Sequence, residues 1–165
     1  MSVPAVRRIV VGVDTSAESV AALRWACREA SFRGAEVHAV HVREELCHSL
    51  ASYAVPAISD SHEVSVDDVV RAVHADYAPD VKLRVEVVDG LAARVLLDRC
   101  GGAEMLILGT SSDEPGSPRS AGPVIRACLR RASCPVVVIN EAMAPAPAPR
   151  GAVRAAARVP VAAGV

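Results

Sequence analysis

Residues 9–14, Ile-Val-Val-Gly-Val-Asp, form an almost unbroken β-branched run that passes straight into helix-start chemistry. Such a run marks a strand buried on both faces, and burying both faces requires helices above and below the sheet. Thr15 with Glu18 three residues on fits a capping box, and Val20, Leu23, Cys27 and Ala30 then recur at helical spacing up to Gly34. The pattern predicts a strand, a tight turn and a helix that stops at glycine. Residues 37–42 read as a second strand, and residues 81–88 as a third in which Val81, Leu83, Val85 and Val87 alternate, leaving one face less buried. Between them lies an irregular stretch, 43–64, containing Pro56, and a helix from Val66 to Tyr77 with Val66, Val69, Val70 and Val73 on one face. A helix over about 92–100, a strand at 105–108, a loop from Gly109, a helix over about 122–131 and a strand at 136–139 complete the series. Strands alternating with helices predict an α/β domain on a parallel sheet with right-handed crossovers.

At 165 residues the chain has room for one domain with a real core. After Asn140 the sequence shifts to Ala-Met-Ala-Pro-Ala-Pro-Ala-Pro, a polyproline-type composition that cannot bury enough surface to order itself. The domain is therefore expected to span 1–140, with 141–165 an Ala/Pro-rich, disordered tail. Arg150, Arg154 and Arg158 fall at i, i+4 and i+8, but like charges at that spacing weaken so short a helix, and they read as a solvated segment.

Aromatic residues make up only 2% of the chain, with Trp25, Phe32, Tyr53 and Tyr77 the large rings, so no stacking platform for bases is available. Eighteen basic residues against 19 acidic ones give a net charge of -1, without the field that a phosphate polymer or an anionic membrane requires. Neither a nucleic-acid nor a membrane partner is expected. Lys82 is the sole lysine, which reads as a bias in base composition. The longest apolar runs are strand-sized, far short of the ~20 residues that span a bilayer. Five cysteines (Cys27, Cys47, Cys100, Cys128 and Cys134), with no C-x-x-C pair and no N-terminal hydrophobic signal, point to reduced thiols and a cytoplasmic location.

Two loops stand where an open parallel sheet binds ligands, beyond the carboxyl ends of its strands. In the first, Gly12 to Ser16, Asp14 either accepts hydrogen bonds from a base amine or ribose or, with Thr15, only caps the helix; these five residues leave both readings open. The second runs from Gly109 to Gly122, where glycines let backbone N–H groups approach an anion and the following helix adds a favourable dipole.

Taken together, Ile-Val-Val-Gly-Val-Asp-Thr-Ser, Ala-Leu-Arg-Trp-Ala, Ala-Glu-Val-His-Ala-Val-His-Val, Leu-Ile-Leu-Gly-Thr and Ala-Ser-Cys-Pro-Val-Val-Val-Ile resemble the universal stress protein family over nearly all of residues 5–140. The resemblance implies an open five-stranded parallel sheet of order 3-2-1-4-5 with helices on both faces, the adenine nucleotide alpha hydrolase-like arrangement. It also implies a homodimer paired through the last strand, Val136 to Ile139, and a role in stress adaptation, with ATP bound by some members. Those members carry G-x2-G-x9-G-[S/T] after the fourth strand. Here Gly109 and Gly122 keep the outer glycines at the right separation, Ser112 replaces the middle one, and Pro123 replaces the hydroxyl residue. Ser112 puts a Cβ where positive φ is needed, at a cost of about 1 kcal/mol, and Pro123 deletes a hydroxyl and an N–H, though it remains a good first helical residue. Asp113 and Glu114 set two carboxylates in the phosphate loop against Arg119 alone. By resemblance Asp14 and the backbone of Val42 meet base and ribose, with Leu108, Gly109 and Thr110 beside them. The expected ligand is ATP or another adenine nucleotide, held weakly, with no metal beyond nucleotide-bound Mg.

Other constellations carry less. His38, His41, Cys47 and His48 are metal-ligand types, but His38 and His41 lie an odd number apart on a strand and so point to opposite faces. Asp67, Asp68 and His74 read as a solvated helix face. The G-x-S-x-G, G-x-G-x-x-G and P-loop patterns do not occur, which disfavours a hydrolase, a dinucleotide enzyme or a P-loop kinase. Cys134, before Pro135, reads as packing; a redox-sensing role would need an electropositive setting, for which Arg130 and Arg131 are the candidates. The sequence thus describes a non-catalytic, cytoplasmic stress-response regulator with a partly degenerate adenine-nucleotide pocket. Its alternative is a nucleotide-independent dimeric module that recruits an unidentified protein partner. Slow ATP hydrolysis is a weaker third reading, because no catalytic base is evident.

Overall fold

The computed structural model describes residues 7–44, 65–110 and 121–146. Its elements run β1 (Arg8–Gly12), α1 (Ala17–Arg33), β2 (Glu36–Arg43), α2 (Val66–Tyr77), β3 (Leu83–Asp89), α3 (Ala92–Arg99), β4 (Met105–Gly109), α4 (Pro123–Arg131) and β5 (Val136–Ile139). The sheet order is β3-β2-β1-β4-β5, and every pairing is parallel. The chain builds outward from β1 in one direction through β2 and β3, then returns to the other side for β4 and β5. That reversal leaves a crevice at the carboxyl ends of β1 and β4.

Period-2 alternation divides the strands between two apolar layers. Ile9, Val11, Val37, Ala39 and Ile107 face α1 and α2, while Val10, Val40, Leu106 and Leu108 face α3 and α4. Ile9, Leu23, Leu106 and Ile107 are essentially inaccessible to solvent, and each such side chain stabilises the fold by roughly 1.5–3 kcal/mol. On β3, an edge strand, Leu83 and Val85 pack inward while Val87 on the same face is 48% exposed, so the alternation foresees the half-buried strand but not its bare end.

Helix α1 ends as expected, with Gly34 left-handed at φ 62 and its N–H bonded to the Ala30 carbonyl. Its start differs from expectation. The N-cap is Ser16, whose hydroxyl accepts the Ser19 N–H at 3.2 Å, and Thr15 is exposed. The cause is local: Asp14 Oδ1 takes both the Ser16 N–H at 2.8 Å and the Ser16 hydroxyl at 2.5 Å, which makes Ser16 the last extended residue.

His74 also departs from the solvated-face reading. Asp67 does pair with Arg71 at the surface, but His74 Nε2 lies 2.6 Å from the Val81 carbonyl and ties the end of α2 to the turn before β3. Inside the α3/α4 layer His38 Nε2 lies 2.8 Å from Glu86 Oε2, and the Arg99 guanidinium forks onto the same carboxylate. Burial keeps His38 below the ordinary histidine range, with Arg84 and Arg8 pushing the same way against the pull of Glu86. Beyond β5, Asn140 caps a short 3-10 turn, Glu141–Met143, and Ala144 packs against the α1 layer.

Candidate functional site

A cavity of about 270 Å3 opens at the carboxyl ends of the central strands. Of the residues singled out in the sequence, Asp14, Val42, Leu108, Gly109, Gly122 and Pro123 all line it, contributed by the ends of β1, β2 and β4 and the start of α4. Thr15 and Thr110 do not: Thr15 points to solvent, and the Thr110 N–H is taken by the Ile139 carbonyl at 2.8 Å. Ser112, Asp113, Glu114 and Arg119 lie outside the described residues.

The polar end of the cavity is built by the turn after β1. Val13 leaves the strand with its N–H on the Val40 carbonyl at 2.9 Å, and its own carbonyl lies 2.9 Å from His41 Nδ1. Successive residues of β2 thus hold both backbone polar groups of Val13, the residue before Asp14. The Ser19 hydroxyl donates to the Asp14 carbonyl at 2.8 Å and accepts the Asp14 N–H at 3.1 Å. Burial by itself would raise the Asp14 pKa, but hydrogen bonds from Ser16 and Ser19, helped by His41, outweigh it and hold the carboxyl below its usual range. Asp14 is therefore an anionic acceptor at neutral pH, already engaged with the helix cap and still facing the cavity.

The remaining walls are apolar, with Val40, Val42, Leu96 and Leu108 opposing one another. Val40 shares a strand face with Val42, so period-2 reasoning reaches it; Leu96 and Ala92 come from α3, which no local signal attaches to this site. Ser16 belongs to the Gly12 to Ser16 loop read as a ligand loop, whereas Ser19 escaped notice because a serine in the first turn of a helix ordinarily reads as a cap alone.

The two outer glycines of the loop pattern differ. A Cβ on Gly109 would sit 2.4 Å from the Glu18 backbone carbon and oxygen and 2.8 Å from the Ser19 nitrogen, so this glycine is required by the close passage of α1. At Gly122 no atom of the described residues lies within 4 Å of where a Cβ would sit, and no positive φ demands glycine. Its smallness leaves space at the mouth of the cavity. Pro123 occupies the first turn of α4, as its fixed φ favours.

The described cysteines are free. Burial pushes the Cys134 thiol up to about 11, with Cys100 acting in the same direction, and Cys27 up to about 12. Cys134 is thus protonated at neutral pH, which favours the packing reading over redox sensing. Cys47 lies outside the described residues.

A doubly wound parallel sheet with an apolar slot and the Asp14 carboxylate at its switch point defines an open α/β domain with a cavity where such sheets generally bind ligands. Within that class the chain belongs to the universal stress protein family, whose sequence profile matches residues 5–140. A universal stress protein of Mycobacterium tuberculosis is 29% identical over 151 residues, covering 87% of this chain and 51% of the relative. One of Mycolicibacterium smegmatis is 32% identical over 139 residues, covering 80% and 47%. The chain thus spans about half the length of the curated relatives it matches. Among solved structures, a universal stress protein in complex with cAMP superposes with a TM-score of 0.57 at 19% identity, over 82% of this chain and 98% of that one. A family protein from Arabidopsis thaliana with AMP bound gives 0.56 at 17% identity, over 81% and 90%. These share the adenine nucleotide alpha hydrolase-like fold.

Proposed function

We propose that this protein is a stress-response regulator that holds an adenine-containing ligand in the cavity at the strand ends and performs no chemistry on it. The convergence of Asp14, Val42, Leu108 and Gly122 on one cavity carries the reading. Apolar walls suit a flat heterocycle, and the carboxylate and hydroxyls at one end suit amine and ribose donors. Solved relatives of the same fold hold cAMP and AMP, which supports the ligand class. The absence of catalysis is argued from Asp14. It is the one titratable side chain among the described lining residues, and a carboxylate held below its usual range is a poor proton acceptor at neutral pH.

The same proposal places the protein in the cytoplasm and pairs two copies through β5. No helix among the described residues is long and apolar enough to cross a membrane. β5 stands at the sheet edge with Val136, Val137 and Val138 half-buried and uncharged, a surface that ordinarily needs a cover. On the family pattern the site is partly degenerate, with Pro123 in the place of a hydroxyl residue and Ser112, Asp113 and Glu114 weakening phosphate binding.

Calorimetric titration with AMP, compared between the wild-type chain and Asp14→Ala, tests the site. Measurable binding that falls about tenfold or more in the variant, in keeping with loss of a charged hydrogen-bond acceptor, is the expected result. Equal binding by both chains would place the ligand elsewhere.

A further inference from the structure

Three helices begin around this cavity, and helix N-termini are where a phosphate group would be received. At two of them a side-chain oxygen already accepts a first-turn N–H, and at the third the first residue has none. At α1 the Asp14 carboxylate takes the Ser16 N–H at 2.8 Å, and the Ser16 hydroxyl takes the Ser19 N–H at 3.2 Å. At α3 the Glu44 carboxylate, reaching over from the end of β2, accepts the N–H of Ala92 at 3.0 Å, and Ala92 lines the cavity. At α4 the first helical residue is Pro123, which has no N–H to offer.

None of the described lining residues is lysine, arginine or histidine. Arg43, which follows Val42, is held by Asp89, with Nε 2.8 Å from Oδ1. Asp14 lines the cavity and Glu44 is hydrogen-bonded to a lining residue, so two carboxylates stand in or beside it with no cationic side chain among the described lining residues. The cavity volume of about 270 Å3 also falls just below the ~300–1,000 Å3 usual for small-molecule sites.

We propose that the cavity takes an uncharged purine nucleoside in preference to its phosphorylated forms, and that Glu44, seated on the α3 N-terminus, is a specificity-determining residue that excludes phosphate. This rests on the adenine-ligand reading and narrows it. Glu44 occupies an N–H at the start of α3 that is thereby closed to an anion, and it adds repulsion to any anion that approaches. The penalty is electrostatic, so it grows with each added phosphate and is screened by salt.

Calorimetry of the full chain with adenosine, AMP and ATP, at about 0.02 M and 0.5 M salt, provides the test. Adenosine is expected to bind about tenfold or more tightly than ATP at low salt, with the gap closing at high salt. Glu44→Gln keeps an acceptor for the Ala92 N–H but removes the charge, and should raise the ratio of ATP to adenosine affinity about threefold to tenfold. Pro123→Ser, which returns an N–H and a hydroxyl to α4, should raise the same ratio independently. ATP binding as tightly as adenosine to the wild-type chain would overturn the proposal. A Glu44→Gln chain with an unaltered ratio, whether or not all three affinities drop together, would reduce Glu44 to a structural cap and overturn its assignment. Failure of all three compounds to bind the folded wild-type protein would overturn the adenine-ligand reading itself.

Discussion

Gly109 and Gly122 border one cavity, yet the lack of a side chain serves a different need at each. Gly109 must be bare because the α1 backbone passes where its Cβ would lie, whereas no described residue lies close to the Cβ position of Gly122. Gly109→Ala should therefore be destabilised by about 1–3 kcal/mol, the usual range for forcing atoms into a packed site. Gly122→Ala should stay within about 0.5 kcal/mol of wild type. Urea denaturation of the two variants checks this, and equal losses would mean that the glycines share one role. Both line the cavity, but their spacing in the loop pattern assigned them a common purpose. The contact that separates them joins residues 91 positions apart in the chain, Glu18 and Gly109, and no local pattern contains it.

At the level of elements, the turn from β1 into α1 shows how the site and the fold use the same atoms. Ser16 caps the helix, Asp14 braces Ser16, and both line the cavity. Ser16→Ala should lose about 1 kcal/mol of stability, as cap removal generally does, while Thr15→Ala should lose little. Thermal melts of both variants decide between the two caps; a larger loss for Thr15→Ala would restore the cap read from the sequence. The elements themselves were legible. The four helices and five strands fall within a few residues of their expected positions because β-branched runs and helical spacing are local signals. The one-residue displacement of the cap was not, because it turns on which hydroxyl the Asp14 carboxylate captures.

For the whole molecule, the two sheet edges differ. β3 carries Arg84, Glu86 and Asp89, charges that discourage edge pairing. β5, Val-Val-Val-Ile, carries none. Pairing of two copies along β5 about a two-fold axis would satisfy its free backbone groups and bury its valines together. Sedimentation of the wild-type chain at micromolar concentration should show a dimer, and Val137→Lys or Val138→Lys should give monomers or insoluble protein. A wild-type monomer would refute the pairing, and intact dimers in both variants would place the interface elsewhere.

The amino-acid sequence by itself determined the alternation of strands and helices and the parallel sheet with helices on both faces, and its family resemblance pointed to six of the residues that line the cavity. The elements are written in short-range hydrophobic period, and the two candidate loops in residues at strand ends, where an open α/β sheet binds by construction. Only the tertiary structure decided that His41 holds the Val13 carbonyl, that Glu44 sits on the α3 N-terminus, and that His38 is buried against Glu86 and Arg99. His41, His38 and Glu44 are polar residues whose partners lie at a distance in the chain. Their roles depend on which strand lies beside which and on the direction each side chain takes, and a one-dimensional pattern of apolar and polar positions does not encode either.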